Sequence, residues 1–329
     1  MVPIVNLGNF DANNEAFHSL VKSWSAAMET VGFAIITNHG VDENVLQDMA
    51  RAVKVFFLEK SVDEKMKFNY GSYGNPKGGY TPMGVEAVAR TYEQDSTTKS
   101  PPADLVENYV IQGKFFQSAS GIAGKGNFKL LHNQDLYKAG LRYYNELVRL
   151  MERIHRLSAR ALGVKEDFFE TFYGSDPDTS LRMAHYPPLP GTIEDQQMRY
   201  GPHTDYTGFT FLYLPENDPN GLQIFVDGKW TDLGIDDYPP GSFIVNIGDL
   251  MSRWTGGKWK STLHRVLNPP RDSKLAKMHR FSIPFFTGPR SSSLVVPVNY
   301  ETMDEESRQK FKPILASDHL KFKLGLSNL

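Results

Sequence analysis

The chain has 329 residues, 36 Lys and Arg against 38 Asp and Glu, a net charge of −2 and no cysteine. That length buries a large core in one compact unit, and the near-neutral charge leaves no basic field for nucleic acid or an anionic membrane. Lack of cysteine excludes disulfides and thiolate metal ligands, no apolar run reaches the ~18 residues of a membrane span, and MVPIVNLGNF lacks the basic and apolar regions of a secretory signal. The expectation is a cytoplasmic protein, a monomer or weak homo-oligomer, whose partners are small molecules.

In chain order, residues 1–175 read as a mainly helical amino-terminal scaffold. Apolar residues recur at three and four spacing over 14–30, 43–58 and 134–162, and Gly163 closes the last stretch. One early strand, VGFAIITNHGV, holds β-branched and aromatic residues between Gly32 and Gly40. Residues 71–126 are rich in Gly, Pro, Ser and Thr with little periodicity, the composition of a functional lid rather than a plain connection. The pattern changes over 176–300. LRMAHY, FTFLYL, LQIFV, KWTDL, SFIVNIG, HRVLN, RFSIPFF and SLVVPV are strand candidates separated by Gly, Pro and Asn turns. Eight short strands predict a jelly roll, hollow enough at one mouth to hold a cofactor. Residues 301–329 return to helical spacing and are expected to cover that mouth. The fold class is therefore mixed α and β: a jelly-roll core flanked by helices, with the scaffold integral to one unit.

Within the strand region, His203 and Asp205 are separated by one residue, so one strand would turn both side chains to the same face. His264, from a later strand, would complete two imidazoles and a carboxylate. Such a set occupies one face of an octahedral ion and leaves three positions open, the arrangement of a non-haem Fe(II) oxygenase. Arg280 and Ser282 repeat the same spacing, aiming a guanidinium and a hydroxyl together at one carboxylate. An isolated HxD pair arises by chance, and a lone histidine on a strand is usually surface or core. His39 and His185 are read that way, as structural. The glycines of 71–84 do not follow a strand and open a helix, so no phosphate loop is expected.

GPHTDYTGFTFLYL, GLQIF, SFIVNIGDLMSRWTGGKWKSTLHRV and HRFSIPFF resemble the iron(II) and 2-oxoglutarate dependent oxygenases of the isopenicillin N synthase-like group. PIVNLGNF, GFAIITNHGV and FFLEKSVDEKMKF resemble that group's amino-terminal segment. The resemblance implies a double-stranded β-helix, with Fe(II) held by His203, Asp205 and His264 as the catalytic centre. It also implies 2-oxoglutarate as cosubstrate, held by Arg280, Ser282 and Tyr186, with O2 as oxidant. The chemistry so implied is oxidative decarboxylation to succinate and CO2, coupled to removal of a substrate hydrogen and ending in hydroxylation, desaturation or oxidative cyclisation. The group often reads N-Y-Y-P where this chain has Ala184-His185-Tyr186-Pro187.

For the substrate, if Tyr186 faces inward, alternation sends Ala184 and Arg182 the same way. Arg182 then becomes a candidate cation for a carboxylate-bearing amino acid or natural product, with pairing to a nearby acid as the competing reading. Phe286 is inward from Ser282 by the same count, and Tyr80 and Arg90 are candidates to descend from the lid. Two further readings stay open at this point. One is an oxidase like isopenicillin N synthase, using Fe(II) and O2 without 2-oxoglutarate. The other is a non-catalytic metal-binding barrel or a zinc hydrolase.

Overall fold

The computed structural model describes residues 1–10, 15–69, 78–91, 101–117, 134–215, 220–233 and 238–327. Its strands are β1 (Ile4–Asn6), β2 (Phe33–Thr37), β3 (Gly79–Thr81), β4 (Glu107–Gln112), β5 (Ser180–Tyr186), β6 (Tyr200–His203) and β7 (Phe209–Tyr213). They continue with β8 (Leu222–Val226), β9 (Lys229–Asp232), β10 (Phe243–Ile247), β11 (His264–Val266), β12 (Arg280–Phe286), β13 (Leu294–Val295) and β14 (Ile314–Leu315). A large sheet runs β1-β2-β10-β7-β12-β5-β4-β3 and a smaller one β6-β11-β8-β9. Together they form the jelly-roll core, with the active cavity opening between them.

Alternation in the large sheet separates two environments. Phe209, Phe211, Phe243, Val245, Ile247, Phe281, Ile283 and Phe285 pack into the main hydrophobic core with the helices. Their neighbours Thr210, Leu212, Asn246, Arg280, Ser282 and Pro284 line the cavity instead. This is why β10 is buried at every position rather than at every second one.

Helices cover the core side. Glu15–Thr30 buries Phe17, Leu20, Trp24, Ala27 and Met28, one stripe at helical spacing. Glu43–Glu59 starts at Asp42, whose side chain accepts the amide of Asn44, and buries Val45, Met49, Val53 and Phe56. Both pack on the long helix Gln134–Leu162. That helix ends where Gly163 takes a φ of +70°. Gly32 is needed for space as well as for its φ of +72°, since a Cβ there would lie 2.0 Å from the carbonyl oxygen of Lys260. Among the described residues no helix is long and apolar enough to cross a membrane.

Three sequence expectations are corrected. SLVVPV supplies only β13, which pairs with β14 outside the barrel, and the strand it was expected to provide is β6. The Tyr-Gly-Pro-His sequence of β6 hides it, because Gly and Pro ordinarily signal turns. The first 175 residues are also more than a helical scaffold, since β1 to β4 join the large sheet. Finally, the expected lid, 71–126, is partly barrel wall: β3 pairs with β4 and β4 with β5. Polar residues on both faces of β4 conceal its period, because Glu107 and Asn108 find buried partners on opposite sides. Residues 71–77, 92–100 and 118–126 of that stretch lie outside the described residues.

Candidate metal and cosubstrate site

His203 ends β6 and His264 opens β11, and the two are direct cross-strand partners. Asp205 lies two residues beyond the end of β6 rather than within the strand, a further correction. The turn still presents its carboxylate to the same point. Oδ1 stands 3.8 Å from His203 Nε2 and 3.9 Å from His264 Nε2, with all three ligand atoms within 4.8 Å of one another.

Contacts behind the ligands fix which atoms converge. The Nδ1–H of His203 donates to the carbonyl of Gly201 at 2.9 Å, and that of His264 to the carbonyl of Thr262 at 3.0 Å. Each imidazole therefore turns its Nε2 inward. Asp205 Oδ2 accepts from Thr210 Oγ1 at 2.5 Å and from Asn246 Nδ2 at 2.6 Å, which leaves Oδ1 for a cation. Burial drives the pKa of His203 down to about 3, helped by repulsion from His264, so the ring is neutral at physiological pH. For Asp205 burial works against ionisation. His264 and His203, with the two hydrogen bonds, outweigh it and hold the carboxyl below its ordinary value. Neutral imidazoles and an ionised carboxylate are the donor set ferrous iron requires.

The residues expected to meet the cosubstrate stand on the same wall. Arg280 pairs with Tyr186 and Ser282 with Ala184 across β12 and β5, so all four face the cavity. Arg280 is 4% exposed, its guanidinium carbon 5.0 Å from the centre of the Tyr186 ring. Its Nε and Nη1 find no protein partner among the described residues. A buried cation with unspent donors costs free energy unless an anion meets it, and its planar fork matches a carboxylate. Ser282 Oγ lies 3.5 Å from the Tyr186 hydroxyl, at the limit of a hydrogen bond. These groups would suit one carboxylate of a dicarboxylate such as 2-oxoglutarate.

The substrate candidates divide. Phe286 lines the cavity, as expected. Arg182 also faces it, but Nη1 and Nη2 grip Glu86 at 3.0 and 2.7 Å, so its charge is already met by a carboxylate with no exposure. The acid-pairing reading therefore holds, and the ground for requiring a substrate carboxylate falls away. Tyr80 is among the cavity-lining residues, but its side chain lies on the other face of the sheet: it pairs with Tyr109 and its hydroxyl donates to Glu107, leaving the side chain of Thr81 to face inward. Arg90 is not among the cavity-lining residues. The orientation of Tyr80 follows from strand register, which the sequence of this stretch does not fix, whereas Arg90 sits on the short 3-10 helix Val88–Thr91. His39 and His185 are structural: His39 Nε2–H donates to the carbonyl of Gly241, and His185 Nδ1 bonds to Glu107. Thr210 and Asn246 escaped sequence reasoning, although each is a polar residue at a cavity-facing position of an otherwise apolar strand.

Two histidines and an aspartate converging at the mouth of a jelly roll, beside a buried arginine two of whose donors meet no partner among the described residues, define a non-haem Fe(II) and 2-oxoglutarate dependent dioxygenase. Comparison with known proteins agrees. Residues 177–289 match the 2OG-Fe(II) oxygenase superfamily, and residues 2–109 match the amino-terminal segment described as non-haem dioxygenase in morphine synthesis. The 1-aminocyclopropane-1-carboxylate oxidase of Dictyostelium discoideum is 28% identical, over 92% of this chain and 86% of that protein. Gibberellin 20 oxidase 3 of Arabidopsis thaliana is also 28% identical, over 90% and 72%. Among solved structures, a full-length Neurospora crassa protein in complex with alpha-KG superposes with a TM-score of 0.77 at 24% identity, covering 98% of this chain and 96% of that one. JOX2 in complex with 2OG, Fe and JA gives 0.73 at 24%, covering 99% and 85%. These two likenesses establish the shared fold. The chain belongs to the 2OG-Fe(II) oxygenase superfamily, and its cofactors are Fe(II), 2-oxoglutarate and O2.

Proposed function

We propose that the protein oxidises an unactivated C–H bond of a small natural-product-like molecule while 2-oxoglutarate is converted to succinate and CO2. The observation that carries this reading is the unpaired guanidinium of Arg280, buried beside three convergent ligand atoms. An oxygenase that consumed no 2-oxoglutarate would have to meet that cation with the substrate itself. When bound at the triad, ferrous iron with 2-oxoglutarate and dioxygen supplies the oxidising power to break a C–H bond.

The chain's own residues do the rest. His203, His264 and Asp205 would hold the ion by three converging ligand atoms. Arg280, Ser282 and Tyr186 would bind and orient the cosubstrate through a carboxylate. The remaining cavity, about 1040 Å³ in all, is walled by Val88, Val110, Leu212, Pro284 and Phe286, with Leu320 and Leu324 of the C-terminal helix above. Such walls suit one small, largely apolar molecule and keep water from the reacting centre. JOX2, which shares the fold, holds JA together with 2OG and Fe, a precedent in scale for one small substrate beside the cosubstrate.

The test is anaerobic addition of Fe(II) and 2-oxoglutarate, followed by visible spectroscopy and then by succinate measurement in air. A weak charge-transfer band, with succinate release raised by members of a small-molecule panel, is the expected result. Iron binding with no band and no succinate would refute it.

A further inference from the structure

We propose that Asp249 is a positioning residue through which the C-terminal helix Ala316–Ser327 and iron ligation strengthen each other. This rests on the reading of His203, Asp205 and His264 as an iron site. Four segments meet at Asp249. Its Oδ2 accepts from Lys323 Nζ at 2.7 Å and from Thr204 Oγ1 at 3.2 Å. Its Oδ1 accepts from Ser261 Oγ at 2.6 Å, and its backbone N–H donates to the carbonyl of Asp205 at 2.8 Å. Thr204 stands between two ligands, and Ser261 leads the chain into His264. One carboxylate thus ties the turn carrying His203 and Asp205 to the strand carrying the third ligand.

Lys323 brings in the helix. A second contact from the same helix, the Nε2–H of His319 to the carbonyl of Tyr206 at 3.0 Å, lands one residue past Asp205. The side chains of Lys323 and Asp249 are 22% and 16% exposed, so water screens their attraction only in part. Leu320 and Leu324 of this helix line the cavity. A helix that covers substrate is thereby fastened to the backbone that aims the metal ligands. Binding linkage makes the effect reciprocal: whatever orders the ligand turn orders the helix, and the reverse.

The measurement uses full-length protein stripped of metal, titrated anaerobically with Fe(II) against a chromophoric chelator, with hydrogen exchange of residues 316–324 followed with and without the ion. Lys323→Met is expected to weaken iron binding about 10-fold, the scale of outer-shell contacts to a metal site, although Lys323 touches no ligand. It should also abolish the iron-dependent slowing of exchange in the helix. Lys323→Arg should restore both. Ser261→Ala, which cuts another arm of the same carboxylate, should weaken iron binding likewise and keeps the test decisive if Lys323→Met folds poorly. Iron affinity unchanged in these variants, or helix exchange indifferent to iron in the wild type, would overturn the proposal. A wild type that takes up no iron would instead defeat the reading of the site itself.

Discussion

Replacing Arg280 by methionine gives a prediction with an unusual sign. Truncating a buried, well-packed residue normally lowers stability, yet Arg280 is a cation at 4% exposure with Nε and Nη1 unpartnered. Methionine keeps most of the stem's packing and removes the desolvated charge, so the melting temperature of the ligand-free protein should hold or rise. Binding of 2-oxoglutarate should collapse. Two charge-assisted hydrogen bonds worth together about 3 kcal/mol correspond to roughly 150-fold in affinity. At a 2-oxoglutarate concentration about 100 times the wild-type Kd, ligand stabilises the native state by about 2.7 kcal/mol, which falls to about 0.3 kcal/mol in the variant. For a chain of this size the wild-type shift is roughly 5 °C, so thermal melts with and without 2-oxoglutarate resolve the difference. Chelate-band titration gives the affinities independently. A ligand-free protein that melts several degrees lower, with its 2-oxoglutarate shift intact, would show that Arg280 packs the core and does not receive the cosubstrate.

Other outcomes follow from the same geometry. Asn246→Ala removes one of two donors to Asp205 Oδ2 and should weaken iron binding about 10–100-fold with little change in 2-oxoglutarate affinity at saturating iron, read by metal titration. Glu86→Leu strands Arg182 and should destabilise the fold by about 3–5 kcal/mol, while the double variant with Arg182→Met recovers much of the loss in chemical denaturation. If the double variant instead loses substrate affinity with stability intact, Arg182 serves the substrate after all. His155 is buried against Phe169 and Tyr173, and burial depresses its pKa to about 3. Its folded-state value lies below the unfolded one, so the neutral ring's stability is whole above about pH 6.5 and is lost as pH falls toward 3, at ~1.4 kcal/mol per unit. His155→Phe should flatten that part of the stability–pH curve, and an unchanged slope would refute the assignment.

The sequence by itself determined the three long amphipathic helices, most of the barrel strands and the charged and imidazole groups proposed to hold metal and cosubstrate, apart from their mutual distances. Those features are local: a 3.6 or 2 residue period and a one-residue spacing are written directly into the order of side chains. Only the tertiary structure decided which polar residues oppose one another. Arg182, which by sequence could serve a substrate or pair with an acid, is met by Glu86, far away in the chain. Tyr80 took the outer face because its pairing with Tyr109 put it there, and Thr210 and Asn246 became supports of Asp205 only when β7 and β10 lay side by side. Register and charge pairing are long-range properties, settled by which strands neighbour each other and which buried charges must be met. No stretch of sequence contains both partners.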